Sequence, residues 1–289
     1  MYLHTVNADD AQMYLGFNPY TNYSISMEKM KTCISDVEKW MLSKFLKLNV
    51  LKTEVLFIAR PQDHQVYNDM SLQIGNKLYL SSSDDSAKSL GAYIDGTVTM
   101  QKMINECVSS CYFNLKKLKT IKYSLPTDAR LLLVKSFILN KLDYCNILLC
   151  CISTRQMQQL EKVLNSAVRF VYNLKKRDSV SNYLKQAHFL PVSFRVKYKV
   201  CLFVYKILNE LAPSYLNNLV IKAIPSEFSL RSNQDNMKVM QLPGVGNTKT
   251  IQSQMISYWN CLPFDIRAST SINIFKRNLK TYYFNIAFS

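Results

Sequence analysis

Apolar residues recur along this chain at two different periods, and the change from one to the other comes near residue 95. Met1 to Val6 and Ala11 to Phe17 are rich in apolar and aromatic residues suited to strands, with the polar break Asn7-Ala8-Asp9-Asp10 between them. Residues 1–17 therefore read as a hairpin with its acids at the turn. Met27, Met30, Ile34, Val37, Met41 and Phe45 then follow at intervals of three and four, the spacing of one helix face. That predicts a helix from Ser26 to about Lys47, capped by Ser24 or Ser26. Between Thr53 and Asp95 the runs shorten to strand length, at Val55 to Ala59, Ser71 to Ile74, Lys77 to Leu80 and Ser89 to Ile94, with Gly75-Asn76 as a tight turn between the middle two.

Beyond Gly96 the helical period takes over. Met100, Ile104, Val108, Cys111, Leu115 and Leu118 predict a helix ending near Tyr123, and Pro126 can open the next one as its first residue. A third helix, about Thr154 to Asn173, puts Met157, Leu160, Leu164, Ala167 and Val171 on its apolar face. Arg155, Lys162, Arg169 and Lys176 recur every seven residues, so they should form one basic ridge drifting only ~20° per heptad. Pro191 begins another long helix with Val196, Val200, Phe203, Val204, Ile207 and Leu211 inward and Arg195, Lys199 and Lys206 as its basic positions. Residues 225–250 are polar and read as a loop or linker, and a last helix runs from Ser271 to about Phe284. The expected fold class is α+β, an N-terminal third of hairpins and a helix followed by a mainly α-helical remainder.

Charge adds a direction to this pattern. The chain has 36 Lys and Arg against 20 Asp and Glu, a formal +16. Residues 1–95 hold 9 basic and 11 acidic side chains, a net of −2, whereas residues 96–289 hold 27 basic and 9 acidic, a net of +18. A polyanion-binding surface is expected downstream of residue 95; the plainer alternative is that the lysines and arginines only solvate helix faces. The eight cysteines contain no Cys-x-x-Cys pair and most sit in apolar helical runs, so they read as reduced core residues of an intracellular protein, in cytoplasm or nucleus and not secreted. No apolar stretch reaches the ~18 residues that a membrane span requires.

Asp9 and Asp10 carry the first candidate chemistry, because adjacent carboxylates at a hairpin tip can hold hard divalent cations through oxygen. Two-metal phosphoryl transfer needs a further acid as well, to keep two ions ~4 Å apart. His64 and His188 read as structural: nothing pairs them with a nucleophile. Most Tyr and Phe lie on apolar stripes and read as core, not as base-stacking platforms.

The segment His4-Thr5-Val6-Asn7-Ala8-Asp9-Asp10-Ala11-Gln12-Met13-Tyr14-Leu15 resembles the polymerase hairpin of non-LTR (LINE, jockey-like) retrotransposon reverse transcriptases, usually written Tyr-Ala-Asp-Asp followed by Thr-Gln-Leu-Tyr. Leu46-Lys47-Leu48-Asn49-Val50-Leu51-Lys52-Thr53-Glu54 is similar to that family's next motif, Leu-x-Leu-Asn-x-x-Lys-Thr-Glu, and Leu90-Gly91-Ala92-Tyr93-Ile94-Asp95 to its primer-gripping hairpin. The resemblance continues through Lys141-Leu142-Asp143-Tyr144-Cys145-Asn146, Ala187-His188-Phe189-Leu190-Pro191-Val192-Ser193-Phe194-Arg195, Ala212-Pro213-Ser214-Tyr215-Leu216, Tyr258-Trp259-Asn260-Cys261-Leu262-Pro263 and Phe275-Lys276-Arg277-Asn278-Leu279-Lys280, and so covers essentially the whole chain.

The resemblance implies a small palm-like hairpin and sheet remnant at residues 1–95, a thumb-like helical region at 96–190 and a helical C-terminal region at 191–289. Asp9 and Asp10 would hold Mg²⁺ in the parent enzyme, Lys52 would act as an acid near the departing pyrophosphate, and Leu90 and Gly91 would position the primer terminus. Lys52 also reads as a solvated lysine at a helix-to-strand junction, and Gly91 as the glycine of any strand bend.

Two departures bear on activity. Asn7 stands where the family has tyrosine, and the chain starts at the Asp-Asp hairpin, so the fingers and the upstream palm aspartate are expected to be missing. The expected function is that of an RNA-directed DNA polymerase fragment, inactive alone; the alternative is a non-catalytic nucleic-acid-binding module or an inert retroelement remnant. RNA and DNA as template-primer are the expected partners. Lys116, Lys117, Lys119 and Lys122, the ridge from Arg155 through Lys162 and Arg169 to Lys176, and Lys175-Lys176-Arg177 are the candidate phosphate contacts.

Overall fold

The first two strands, β1 (Leu3–Asn7) and β2 (Asp10–Tyr14), pair antiparallel with Leu3 opposite Tyr14 and Asn7 opposite Asp10. The pairing thus reaches further toward the expected break than the polar residues suggested. The computed structural model describes residues 3–7, 10–59, 63, 70–81, 86–222, 239–240 and 250–289. His64, most of the expected 225–250 linker and Asp9 lie outside them. Packing divides the chain into two units, Met1–Lys102 and Met103–Ser289.

In the first unit α1 (Tyr23–Ser43) starts and ends earlier than its apolar spacing suggested. Neither Ser24 nor Ser26 caps it. Asn22 occupies the cap position, its Oδ1 accepts the Asn18 N–H at 2.7 Å, and Ser26 is buried inside the first turns. Phe45 follows at φ +61° and is fully exposed, so the helical stripe does not reach it. The hairpin β3 (Ser71–Ile74) and β4 (Lys77–Leu80) turns at Gly75-Asn76 as expected, with Gly75 at φ +56°, where a Cβ is disfavoured. Met27 of α1 packs with Phe57, Met70, Leu72 and Ile74 to form this unit's core. The Tyr23 hydroxyl fastens the two elements: it donates to the Ser71 carbonyl at 3.0 Å and accepts the Ser71 N–H at 2.9 Å.

Two strand expectations change. Residues 55–59 pair in no sheet, although the Ala59 N–H donates to the Gly96 carbonyl at 2.9 Å. The run from Ser89 to Ile94 is not one strand but the end of a hairpin, β5 (Ser86–Ser89) and β6 (Ala92–Asp95), whose tip is Leu90-Gly91. Buried Asp95 closes it, accepting from the Thr99 N–H at 2.7 Å and from the Thr97 and Thr99 hydroxyls at 3.1 Å.

From there the chain is helical. α2 (Gln101–Thr120) buries Met103, Ile104, Cys111, Leu115 and Leu118. A short 3₁₀ turn (Lys122–Ser124) leads to α3 (Thr127–Val134), where Pro126 stands at the cap and not inside the helix. Through a π-helical turn (Lys135–Leu139) α3 continues as α4 (Asn140–Asp143). α5 (Thr154–Tyr172) buries Leu160, Leu164, Ala167 and Val171 as its pattern predicts. Ser153 and Gln156 form a reciprocal capping box at its start.

After a short α6 (Ser181–Gln186), α7 (Val192–Leu208) buries Val196, Val200, Val204 and Ile207 against α5 and the last helices. Leu211 falls past its end and is exposed, and Phe203 is only half-buried. The strands β7 (Ile221–Lys222) and β8 (Val239–Met240) pair antiparallel. Then come α8 (Ile251–Asn260), α9 (Phe264–Arg267) and α10 (Ile272–Phe288); Ser271 caps the last, which runs four residues past its expected end at Phe284. Tyr205 stacks on Phe275 and Trp259 packs against the same ring at a tilt, and residues 103–190 and 191–289 fall in this one unit. The chain is thus α+β and mostly helical, its described strands being short antiparallel pairs. No helix among the described residues is long and apolar enough to cross a membrane.

Candidate functional site

Hydrogen bonds bring the segments singled out in the first unit to one strand, β5. Gln12 of β2 donates through Nε2 to the Ser89 Oγ at 2.7 Å, and the Lys88 N–H donates to the Glu54 Oε2 at 3.0 Å. The Asp-Asp hairpin, the Leu46-to-Glu54 segment and the Leu90-Gly91 hairpin therefore meet at adjacent residues of β5. On its other side the first hairpin leans on α1, where the Cys33 Sγ lies 3.8 Å from the Met13 Sδ.

Asn49 shapes the middle segment. Its Oδ1 accepts from the Leu51 and Lys52 N–H groups and its carbonyl from the Lys52 and Thr53 N–H groups, so the chain turns there. Tyr79 pins that turn by donating to the Val50 and Thr53 carbonyls at 2.9 and 3.0 Å. Lys52 projects from the turn as an exposed side chain.

Leu90 and Gly91 have φ of +47° and +87°, the signs of a two-residue hairpin turn that favours Asn-Gly. Gly91 is thus required by the turn itself, and Leu90 is a bulky residue in a conformation that costs roughly 1–2 kcal/mol. Its side chain is exposed, so burial does not offset that cost.

Asp10 opens β2 opposite Asn7; Asp9 and the side chain of Asp10 lie outside the described residues. Among the described residues no three His, Cys, Asp or Glu side chains gather as metal ligands. Asp9 and the Asp10 carboxylate, the expected ligands, lie outside that set, and no nucleotidyl-transfer step is drawn from it.

In the second unit a cluster of cations forms around the C-terminal end of α5. Lys116, Lys117 and Lys119 are exposed on the last turns of α2, and Lys122 just beyond bonds through Nζ to the Asn173 Oδ1. Asn173 ends α5 in the left-handed conformation, φ +59°, which asparagine tolerates. Lys175, Lys176 and Arg177 follow in the exposed turn after it. Asp178 closes that turn, its carboxylate accepting the Lys175 N–H at 2.7 Å and its carbonyl accepting from Arg169 Nη2 at 3.3 Å.

This geometry corrects the expected ridge. Only Arg155, Lys162 and Arg169 lie on α5; the reversal at Asn173 takes Lys176 off the helix, and Arg169 is drawn down onto Asp178. Arg155 stands in the first turn, roughly 21 Å along the axis from Arg169 at 1.5 Å per residue, so it does not join the cluster.

Arg130, absent from the sequence-based candidates, does join it. Its Nη1 donates to the Phe170 carbonyl at 3.4 Å and its Nη2 to the Thr127 Oγ1 at 3.3 Å. The only hint in the sequence was its place three residues past Thr127, the first residue of α3. Nearby, burial first and the Asp128 carboxylate second push the Tyr172 phenol up from its ordinary pKa.

Arg195, expected as a basic position of its helix, has a specific acidic partner. It is half-buried and bonded through Nε, at 2.8 Å, and Nη2 to the Asp143 carboxylate. None of the eight cysteines is in a disulfide, and only Cys111, Cys150 and Cys201 are buried, fewer than the core reading expected; the His188 ring stacks on Phe284 at 5.5 Å. No family model, curated protein or solved structure matches the chain.

Proposed function

We propose that the chain is the C-terminal part of a non-LTR retrotransposon reverse transcriptase, with a palm-like first unit followed in sequence by a thumb-like helical region, and that by itself it grips nucleic acid without copying it. The observation that supports the ancestry is the convergence of three motif-bearing segments on β5 through the Gln12–Ser89 and Lys88–Glu54 hydrogen bonds. A chance succession of short motifs has no reason to meet on neighbouring residues of one strand.

Binding and copying rest on different residues. The cations around the end of α5 offer sequence-independent contacts to phosphate. Copying would need a further carboxylate beside Asp9 and Asp10, and Asn7 stands where the family's motif has its tyrosine.

The test is a band-shift with an RNA/DNA hybrid beside a primer-extension assay with Mg²⁺ and labelled deoxynucleotides, both on the purified 289-residue chain. The expected outcome is a complex with no extension. Absence of any complex overturns the binding reading, and incorporation that Asp10→Ala abolishes overturns the claim that the chain does not copy.

A further inference from the structure

On the outer side of α2 aromatic residues interleave with the cations. Tyr112, Phe113 and Tyr123 are 41%, 57% and 95% exposed, and Lys116, Lys117 and Lys119 stand three or four residues from one or another of them. The Lys117 Nζ lies 4.4 Å from the centroid of the Phe113 ring. The Lys122–Asn173 bond ties the residue before Tyr123 to the start of the turn that carries Lys175, Lys176 and Arg177. Acids on the same elements are Glu106, two turns before Phe113 on α2, Asp128 at the start of α3, and Asp178, already engaged by the Lys175 N–H. Exposed aromatic faces cost free energy in water, and cations flanking them attract a polyanion that also has flat apolar faces to offer.

We propose that this surface binds single-stranded nucleic acid, with Tyr123 as a platform for an unpaired base and Lys116, Lys117, Lys119, Lys175, Lys176 and Arg177 following the phosphates. The inference rests on the nucleic-acid reading above and goes beyond it by naming unpaired strand, not duplex, as the ligand. A duplex presents phosphates but keeps its base faces stacked inside, so it uses the lysines and leaves Tyr123 idle. A single strand uses both.

Fluorescence anisotropy with a labelled single-stranded RNA of about 16 nucleotides and an RNA/DNA hybrid of equal length separates these cases. Tyr123→Ala, at an exposed position, should weaken single-strand binding roughly 5- to 150-fold, leave the hybrid unchanged and leave the salt dependence unchanged. Tyr123→Trp should bind the single strand at least as tightly as the natural chain. Lys176→Ala should weaken both ligands and make the salt dependence shallower by about one contact.

If Tyr123→Ala leaves the single strand unaffected, or weakens both ligands alike, while Lys176→Ala still acts, the stacking proposal fails and the nucleic-acid reading stands. If the natural chain binds neither probe, the nucleic-acid reading itself fails.

Discussion

Removing the Asp143 carboxylate should unfasten the N-terminal end of α7. Arg195 sits in the first turn of that helix, where a positive charge opposes the helix dipole, so its place there depends on the partner it meets. Asp143 receives both Nε and Nη2 of the guanidinium, with Asn146 Nδ2 at 3.4 Å. Close by, Glu161 accepts the Ser193 N–H at 3.0 Å, a second carboxylate on the same helix end. The side chains of Arg195 and Asp143 are 18% and 25% exposed. Breaking a fully buried pair costs about 3–5 kcal/mol, and this exposure lowers the expectation for Asp143→Ala to about 2–3 kcal/mol.

Trp259 provides the signal, because it is buried beside Phe275 in the same unit and Trp40 is already largely exposed. Urea unfolding followed by the red shift of its emission gives the free energy, and a unit of this size should lose about 4–12 °C of melting temperature. Arg195→Met in the Asp143→Leu background should recover most of the loss, since both charges are then gone. A loss below about 0.5 kcal/mol for Asp143→Ala, or additivity of the two single changes, would refute the reasoning.

Three further outcomes are expected. Leu90→Asn should stabilise the first unit by about 1 kcal/mol, read as slower hydrogen exchange across β5 and β6, because asparagine accepts the positive φ that leucine resists. Ser153→Ala removes the acceptor for the Gln156 N–H and should cost about 1 kcal/mol in the Trp259 transition. Burial pushes the Cys201 thiol up from 9.0 to about 12, so its neutral form is favoured by folding; the stability it contributes is full below pH 9 and is lost as pH rises toward 12. Urea midpoints above pH 9 should therefore fall, by at most about 1.4 kcal/mol per pH unit from this group, and Cys201→Ala should flatten that part of the decline.

Helical period was the most legible feature of the sequence, because a buried face leaves residues such as Leu160, Leu164, Ala167 and Val171 no alternative spacing. Ends were less legible. Asn22 took the cap of α1 because Asn18 and Asn22 form their own local turn, a competition between neighbouring side chains that period does not reveal. Ser89 to Ile94 looked like one strand because Leu90 is apolar, and only the backbone shows it at a hairpin tip. Lys176 belonged to a heptad on paper, but Asn173 reversed the chain before it. Arg195 read as a basic position of its helix; its partner lies 52 residues earlier, and a contact of that range leaves no local trace. Tyr123 was grouped with the core aromatics by composition, whereas the end of α2 left it in solvent.

Salt dependence of affinity tests the central claim most directly, since it measures how many phosphates the cations around α2 and α5 neutralise. If about four of those side chains contact phosphate, log affinity for an RNA/DNA hybrid should fall with log salt at a slope near −3 to −4, on the order of a hundredfold between 50 and 200 mM. A flat response over that range would contradict it.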